Sequence, residues 1–525
     1  MTQNRPGIAL TLFAIGVFMG GLDNGIISSA LTTIISSFGV NANWGSWVIT
    51  IYTLGLAVSI PIMTKLSDRF GRKRMFIIGV SFFGLGSMLV ALSHSFAMIL
   101  ISRVIQSLGG GGIFPIANGY IVATFPLDRQ GKALGMVGGM NGIAAILGPS
   151  IGSMILGLTH NDWHWLFWIN VPIALLLAIF SFRSIQENKS TTKSRLDYVG
   201  IVTLSLAMLG LMYGLTNLKG ANLTASLTNP QFYGYFLAGI ALLVALLFVE
   251  INIANRGKDP LIPMPLMQRT ELRWTLGLGL VSGLILASVI FLPAFNQLIL
   301  GWPVSQSGYW YTPMALASGV GAMGGGAFMD KRGPIGTLAI GMMAAAVGAL
   351  LFPIWVQHTW EMVVASALVG LGVGVSMGAP LNFLITESVP ESKSTALGIL
   401  SLTRQVGMTL GPTVFAGFLS RSMAGFPNVL TKNLSAAGVP ATAIPPGELS
   451  QMQAVQSFGN VAEQVQQIPV PGVRSAILNA LHTVAQQGFN HLYLATVIIA
   501  TAGLVMVGIT AYYRKRAKRH IEAPA

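Results

Sequence analysis

The 525-residue chain has no cysteine and little charge: 9% of its residues are Asp, Glu, Lys or Arg, against roughly 25% in ordinary soluble domains. The first absence excludes disulfides, thiolate nucleophiles, iron–sulfur ligation and cysteine zinc sites. The second, beside 53% apolar residues, excludes intrinsic disorder and a simple soluble enzyme. Acidic side chains are scarcest, 16 against 30 Lys and Arg. Also lacking are a Walker-type phosphate loop, a nucleophile elbow, a His/Asp/Glu metal cluster and any histidine deep in an apolar run. No enzyme activity, cofactor or metal is therefore expected. "GGGG" at 109–112 lies in an apolar stretch with no following Lys-Ser/Thr, so close helix packing explains it better than a nucleotide.

Long apolar sequence is what the chain has. Mean hydropathy is +0.68, and runs of about 20 residues, each enough to cross about 30 Å of hydrocarbon, start near positions 8, 45, 73, 97, 131, 164, 198, 232, 274, 306, 334, 361, 395 and 490. These predict an all-α integral membrane protein with fourteen spans. The first run passes Asp23 and ends near Ile34, too long for a signal peptide, and is expected to be retained.

Basic residues orient the spans. With the N-terminus inside, 24 of the 30 Lys and Arg fall on inner segments, from Arg5 through the 65–74 cluster to the "RKRAKRH" tail. Lys219, Arg421, Lys432 and Arg474 fall outside, and Arg103 and Arg404 lie within spans. This bias predicts both termini in the cytoplasm. It also assigns the formal charge of +14 to inner loops and anionic lipid, leaving no need for a nucleic acid partner.

An internal repeat divides the chain. "DRQGKALG" at 128–135 aligns with "ESKSTALG" at 391–398 at an offset of 263, which also brings Gly148-Pro149 onto Gly411-Pro412; at 262, "DRFG" at 68–71 meets "DKRG" at 330–333. Three matches in register imply two homologous six-helix bundles, residues 1–190 and 256–525, with two inserted helices in 191–255. A pseudo-twofold axis along the membrane normal then places a central site near the midplane, reached from alternate sides. The Pro-containing linker 255–273 is expected to be cytoplasmic. In the outer segment 421–487, "LSQMQAVQSFGNVAEQVQQ" and "VRSAILNALHTVAQQ" are amphipathic and predict a short helical hairpin at the outer surface.

Asp23 is the one acid expected deep in a span, where a carboxylate costs roughly 2.5–3.5 kcal/mol and persists by facing a cavity or a partner. Desolvation raises a carboxyl pKa and a nearby cation lowers it, so a site that alternates between wet and partner-lined states lets such a carboxyl bind and release a proton; the structural alternative is a permanently protonated packing residue. Arg103, in span 4, is the cation within reach: about 9 Å deep against about 15 Å for Asp23, at 1.5 Å per residue. Snorkelling is its bland alternative. Gln106, one turn on, is a polar neighbour. Arg404 aligns with Asn141 and Asp23 with about Leu286, so coupling chemistry is expected in the first half.

"TKLSDRFGRKR" at 64–74 resembles the loop motif between spans 2 and 3 of the major facilitator superfamily, with Thr64 in place of a glycine. Its charges suit a conformational latch, formed by Asp68, Arg69, Gly71 and Arg72 with Asp330 and Gly333 as their repeat. "LISRVIQSLGGGG" at 100–112 resembles the span 4 motif carrying a buried arginine. "GIAAILGPSIGS" at 142–153 is similar to the span 5 antiporter motif, through Gly142, Gly148, Pro149 and Gly152, with Ala144 and Ser153 replacing glycines. "LDNGIISSAL" at 22–31, "WLFWINVP" at 165–172, "FLPAFNQLILGWPVSQSG" at 291–308 and "TRQVGMTLGP" at 403–412 resemble marks of the fourteen-span drug:proton antiporter subfamily.

The resemblance spans essentially the whole chain. It implies the major facilitator fold, a plasma-membrane location and proton-driven efflux of lipophilic, often cationic, drugs, with the proton gradient as energy source. Asp23 would then be the coupling acid and Arg103 its span 4 arginine. A greasy-cation pocket wants Met, aromatic and amide side chains, and Asn118, Asn296, Gln297, Tyr309, Trp310, Met314, Asn382 and Phe383 are the candidates. One carboxylate serving proton and cationic drug in turn would produce exchange. Small amphipathic substrates, protons and membrane lipids are the expected partners of a monomer. The alternatives are an endogenous lipid, peptide or amino acid as cargo, or a receptor or scaffold that transports nothing.

Overall fold

The computed structural model describes residues 6–40, 42–45, 47–187, 198–217, 228–255, 269–302, 308–387, 389, 393–436 and 471–522. Among these, the regular structure is helical throughout. The first long helices are α1 (Pro6–Phe38), α2 (Trp47–Phe70), α3 (Arg72–Ala91), α4 (Phe96–Thr124), α5 (Leu127–Leu158) and α6 (Asn170–Ser184). Next come α7 (Tyr198–Thr216) and α8 (Pro230–Asn255). The rest are α9 (Thr270–Ser288), α10 (Tyr311–Arg332), α11 (Pro334–Ile354), α12 (Thr359–Met377), α13 (Lys393–Ala424) and α14 (Pro471–Glu522). Eleven helices among the described residues are long and apolar enough to cross a membrane. Helix α7 is shorter, and α10 and α13 fall outside that group.

Packing repeats from the first six helices to the last six. α1 packs on α5 and α6, and α9 on α13 and α14; α4 receives α2 and α3, and α12 receives α10 and α11; α3 meets α6 as α11 meets α14. The two sets join along α5–α10 and α2–α13, contacts that a twofold operation would exchange, while α7 packs on α8 and on α2. Aromatic clusters fill each set. Phe13 meets Phe76 edge-on at 4.5 Å between ring centroids, and Phe352 stacks on Tyr493 at 3.8 Å with Phe295 edge-on to it at 5.2 Å, geometries that the ring quadrupole favours.

One expectation needs correction. The stretch "VRSAILNALHTVAQQ" is no separate surface helix. It is the start of α14, a continuous rod of 52 residues, about 78 Å long at 1.5 Å per residue. Its apolar stripe, Val473, Ile477, Leu481 and Val484, packs on Phe426, Leu430 and Leu434 of the helix Phe426–Ala436, so the amphipathic pattern marks helix-on-helix packing. The other predicted hairpin arm, 449–467, lies outside the described residues. Glu250, five residues from the end of α8, is completely buried as well.

Candidate functional site

Five helices converge on Asp23. The carboxylate, on α1, accepts from Arg103 Nη1 of α4 at 2.6 Å through Oδ2 and from Gln106 Nε2 at 2.8 Å through Oδ1. Arg103 Nη1 also donates to Gln106 Oε1 at 2.6 Å, and its Nε donates to the Val48 carbonyl of α2 at 3.2 Å. Gln106 Nε2 donates to Ser87 Oγ of α3 at 2.7 Å, and Asn170 Nδ2 of α6 lies 3.4 Å from both Asp23 Oδ1 and Ser87 Oγ. Tyr52 of α2 covers the guanidinium face, with its ring centroid 3.9 Å from the Arg103 carbon.

Every member of this cluster is at most 1% exposed. Snorkelling is thus not what Arg103 does: its charge is spent on a carboxylate, an amide and a ring. A buried pair of this kind survives desolvation because the remaining lone pairs are hydrogen-bonded, and both Asp23 oxygens are.

Beside the cluster lies a cavity with about 770 Å³ of empty space, open solvent included. It sits between the two helix sets: α1 contributes Val17, Gly20 and Gly21, α4 contributes residues from Gly110 to Pro115, and α13 contributes Ser401, Arg404, Gln405 and Met408. Tyr52 lines it too and so forms the partition between cavity and charge pair. Asp23 is not on its wall. Asn141 and Arg404, mates under the 263-residue offset, both are. Arg404 Nη1 donates to Asn382 Oδ1 at 3.2 Å and Nη2 to the Ser376 carbonyl at 3.1 Å.

Glycines and a proline shape this region. Gly148 and Pro149 of α5 sit against Gly25 of α1, Gly142 meets Ser318 of α10, and Gly138 meets Gly378 just after α12; Gly152 is buried. Small residues at these points let backbones approach closely.

At the end carrying the basic clusters, two ties of one design join the sets. Asp68, at the end of α2, accepts from Thr395 Oγ1 near the start of α13 at 3.4 Å and from Arg72 at 3.3 Å. Asp330, at the end of α10, accepts backbone N–H bonds from Gly131 and Lys132 near the start of α5. An acid near a helix N-terminus meets the positive end of the dipole. Gly71 and Gly333 follow these helices with φ of +103° and +83°, values that glycine adopts without steric cost. Arg69 is exposed and stacks over Phe70 at 5.3 Å. A third acid, Glu187, accepts from the backbone N–H groups of Lys73 and Arg74 at 3.1 and 3.3 Å and so caps α3.

None of the eight substrate-pocket candidates lies on the cavity wall. Asn118, Asn296, Met314 and Asn382 are buried in helix packing, and Asn382 touches the cavity only through Arg404. Trp310 packs on Trp302, Tyr309 is 58% exposed, and Gln297 and Phe383 are half-buried. Sequence reasoning missed Tyr52, Ser87, Thr395 and Glu187, for which no charge-in-apolar-run signal exists. Asn170 stood within a quoted motif, without a role.

Two like helix sets around a central cavity, with a buried ion pair at its edge, are the build of a membrane carrier. Residues 13–412 match the Major Facilitator Superfamily, and the chain belongs to that family. It is 49% identical, over 98% of both chains, to an uncharacterized MFS-type transporter, YfiU, of Bacillus subtilis strain 168. It is 29% identical to Multidrug resistance protein 3 of the same organism, over 96% of this chain and 94% of the other. The crystal structure of the human organic anion transporter MFSD10 (TETRAN) superposes with a TM-score of 0.54 at 14% identity, covering 95% of this chain and 100% of that one, a likeness of fold. The chain is a multi-pass membrane transporter with multidrug transporters among its relatives.

Proposed function

We propose that this transporter is a fourteen-span proton antiporter that exports lipophilic drugs by alternating access. In this reading residues 1–190 and 256–525 are two rocking bundles, 191–255 is inserted between them, both termini are cytoplasmic, and the monomer works in the cell membrane. The observation that supports it is the fully buried Asp23–Arg103–Gln106 cluster, with Tyr52 lying over Arg103 and lining the central cavity.

The chemistry follows from that partition. With Asp23 ionised, Arg103 is held by its carboxylate and Tyr52 is held over Arg103. A proton on Asp23 removes the charge that anchors Arg103, and Tyr52, the wall of the cavity, loses its cation–π partner's fixed position. Substrate pressing on Tyr52 from the other side acts on the same cluster. Proton and drug therefore act on one element, and exchange follows if they bias it in opposite senses. The ties at Asp68 and Asp330 hold one of the two arrangements.

The test is proton release from purified protein on addition of a chemically varied drug panel. Wild type is expected to release protons, and Asp23→Asn to release none while eluting as folded protein; release from that variant at the wild-type level rejects the role.

A further inference from the structure

The proposed efflux reading names no chemical class of cargo, and the cavity wall carries one. Among the 18 described residues lining the cavity there is no Asp or Glu, and Arg404 is the one charged side chain. Arg404 is 4% exposed, and among the described residues it forms no ion pair; its partners are an amide oxygen and a backbone carbonyl. Its Nε is buried without a partner. A guanidinium has five N–H donors in a planar fork suited to a carboxylate, so donors remain beyond the two that Asn382 and Ser376 occupy. Gln405 and Ser401 on the same helix and Asn141 opposite add uncharged polar groups to that wall. In the first set Arg103 is paired with Asp23 at 2.6 Å, whereas Arg404 in the second set has no acid beside it among the described residues and lines the cavity. A cation in this cavity meets Arg404 as a like charge; an anion supplies the missing counter-charge in a low-dielectric site, where it is worth most.

We infer that Arg404 is a substrate-recognition residue and that the cavity selects lipophilic compounds bearing an acidic group, a carboxylate or similar oxyanion, on an apolar body. The inference rests on the efflux reading only for the direction of transport; recognition is a matter of binding and is tested without a pH gradient.

The probes are tetramethylrhodamine, which carries a free carboxylate, and its methyl ester, which differs in that group alone. Binding is followed by fluorescence anisotropy on the full chain in phosphatidylcholine nanodiscs. Wild type is expected to bind the acid at least tenfold more tightly than the ester. Arg404→Gln should bring the ratio to about one, the zwitterionic acid binding more weakly and the cationic ester, freed of a like charge, at least as tightly as in wild type, which also shows that the variant is folded; Arg404→Lys should keep part of the preference. Equal binding, preference for the ester, binding of neither dye by wild type, or a preference that survives in Arg404→Gln overturns the inference. Adding phosphatidylglycerol to the discs separates the sources of the oxyanion: competition with the dye assigns the site to a lipid headgroup, no competition assigns it to soluble amphipaths, and either supports an anion site. Loss of proton coupling in Asp23→Asn leaves these ratios untouched, so the two readings fail separately.

Discussion

Gly25 and Gly148 meet back to back: a methyl group on Gly25 would lie 2.6 Å from the Gly148 Cα and 2.9 Å from the Pro149 ring. Gly25 follows Asp23 by two residues, about 200° around the helix at 100° per residue. The contact therefore presses one side of α1 onto α5 while the opposite side presents the carboxylate to Arg103. A packing motif and an ion pair that look unrelated in the sequence are two faces of one turn.

Enlarging either glycine should thus displace the ion pair as well as the helix crossing. Gly148→Val is expected to lower stability by about 1–3 kcal/mol, the usual range for overpacking a filled interface, and to weaken drug-induced proton release with it. The thermal midpoint of the purified variant and its proton release are the measurements; a normal midpoint with normal release would remove the structural role assigned to this crossing.

Removing Arg103 alone should be worse than removing the pair. Arg103→Gln leaves the Asp23 carboxylate buried without its cation, a loss of roughly 3–5 kcal/mol for such sites, whereas Asp23→Asn/Arg103→Gln leaves only neutral groups. The double variant is expected to melt above the single one, and the pH dependence of drug binding should shift in the single variant. Additive losses in the thermal midpoints would show that the two side chains do not act as a unit.

The ties at the basic end should control access from that side. Each offers hydrogen bonds to a charged acceptor, worth about 1.5–3 kcal/mol, so Asp68→Asn or Asp330→Asn should raise the population of the opened arrangement by about tenfold or more. Because the chain has no cysteine, a single Ser401→Cys on the cavity wall can be labelled by a maleimide without background. Faster labelling from the basic end is expected in both latch variants; an unchanged rate in both would show that the ties do not govern opening.

Glu187 gives a local check on helix capping. Glu187→Ala strips the acceptor from the Lys73 and Arg74 N–H groups and should cost about 0.5–2 kcal/mol. Hydrogen exchange at the first turn of α3 should quicken while that of α4 stays unchanged; protection equal to wild type at that turn would refute the cap.

The ion pair was legible because charge inside an apolar run is rare enough to stand out, and depth counted along each helix put Asp23 and Arg103 within reach. The paired ties were legible through the repeat offset, which carries Asp68 onto Asp330. Tyr52 and Ser87 were not: a tyrosine or serine in a membrane helix is unremarkable until the helices are assembled, and its partners are 51 and 19 residues away in sequence, opposite Arg103 and Gln106. The cavity wall was missed for a related reason. It does carry Met, aromatic and amide side chains, Tyr52, Phe114, Asn141, Met377, Gln405 and Met408 among glycines and branched apolar residues, but which of the many such residues turn toward the cavity follows only from the assembled helices, so the search went to packed positions. On α14, an amphipathic stripe has the same period whether it faces lipid or a neighbouring helix, and only the assembled contact with Phe426 and Leu430 tells them apart.

Because α14 runs unbroken from that contact to the tail, it behaves as a mast stepped in the second bundle. Any rocking of that bundle must swing the mast's head, so an antibody fragment that bridges the exposed side of that head, Arg474, Ser475, Leu478 and Asn479, to the first bundle would clamp the transporter at long range, with no need to reach the interior.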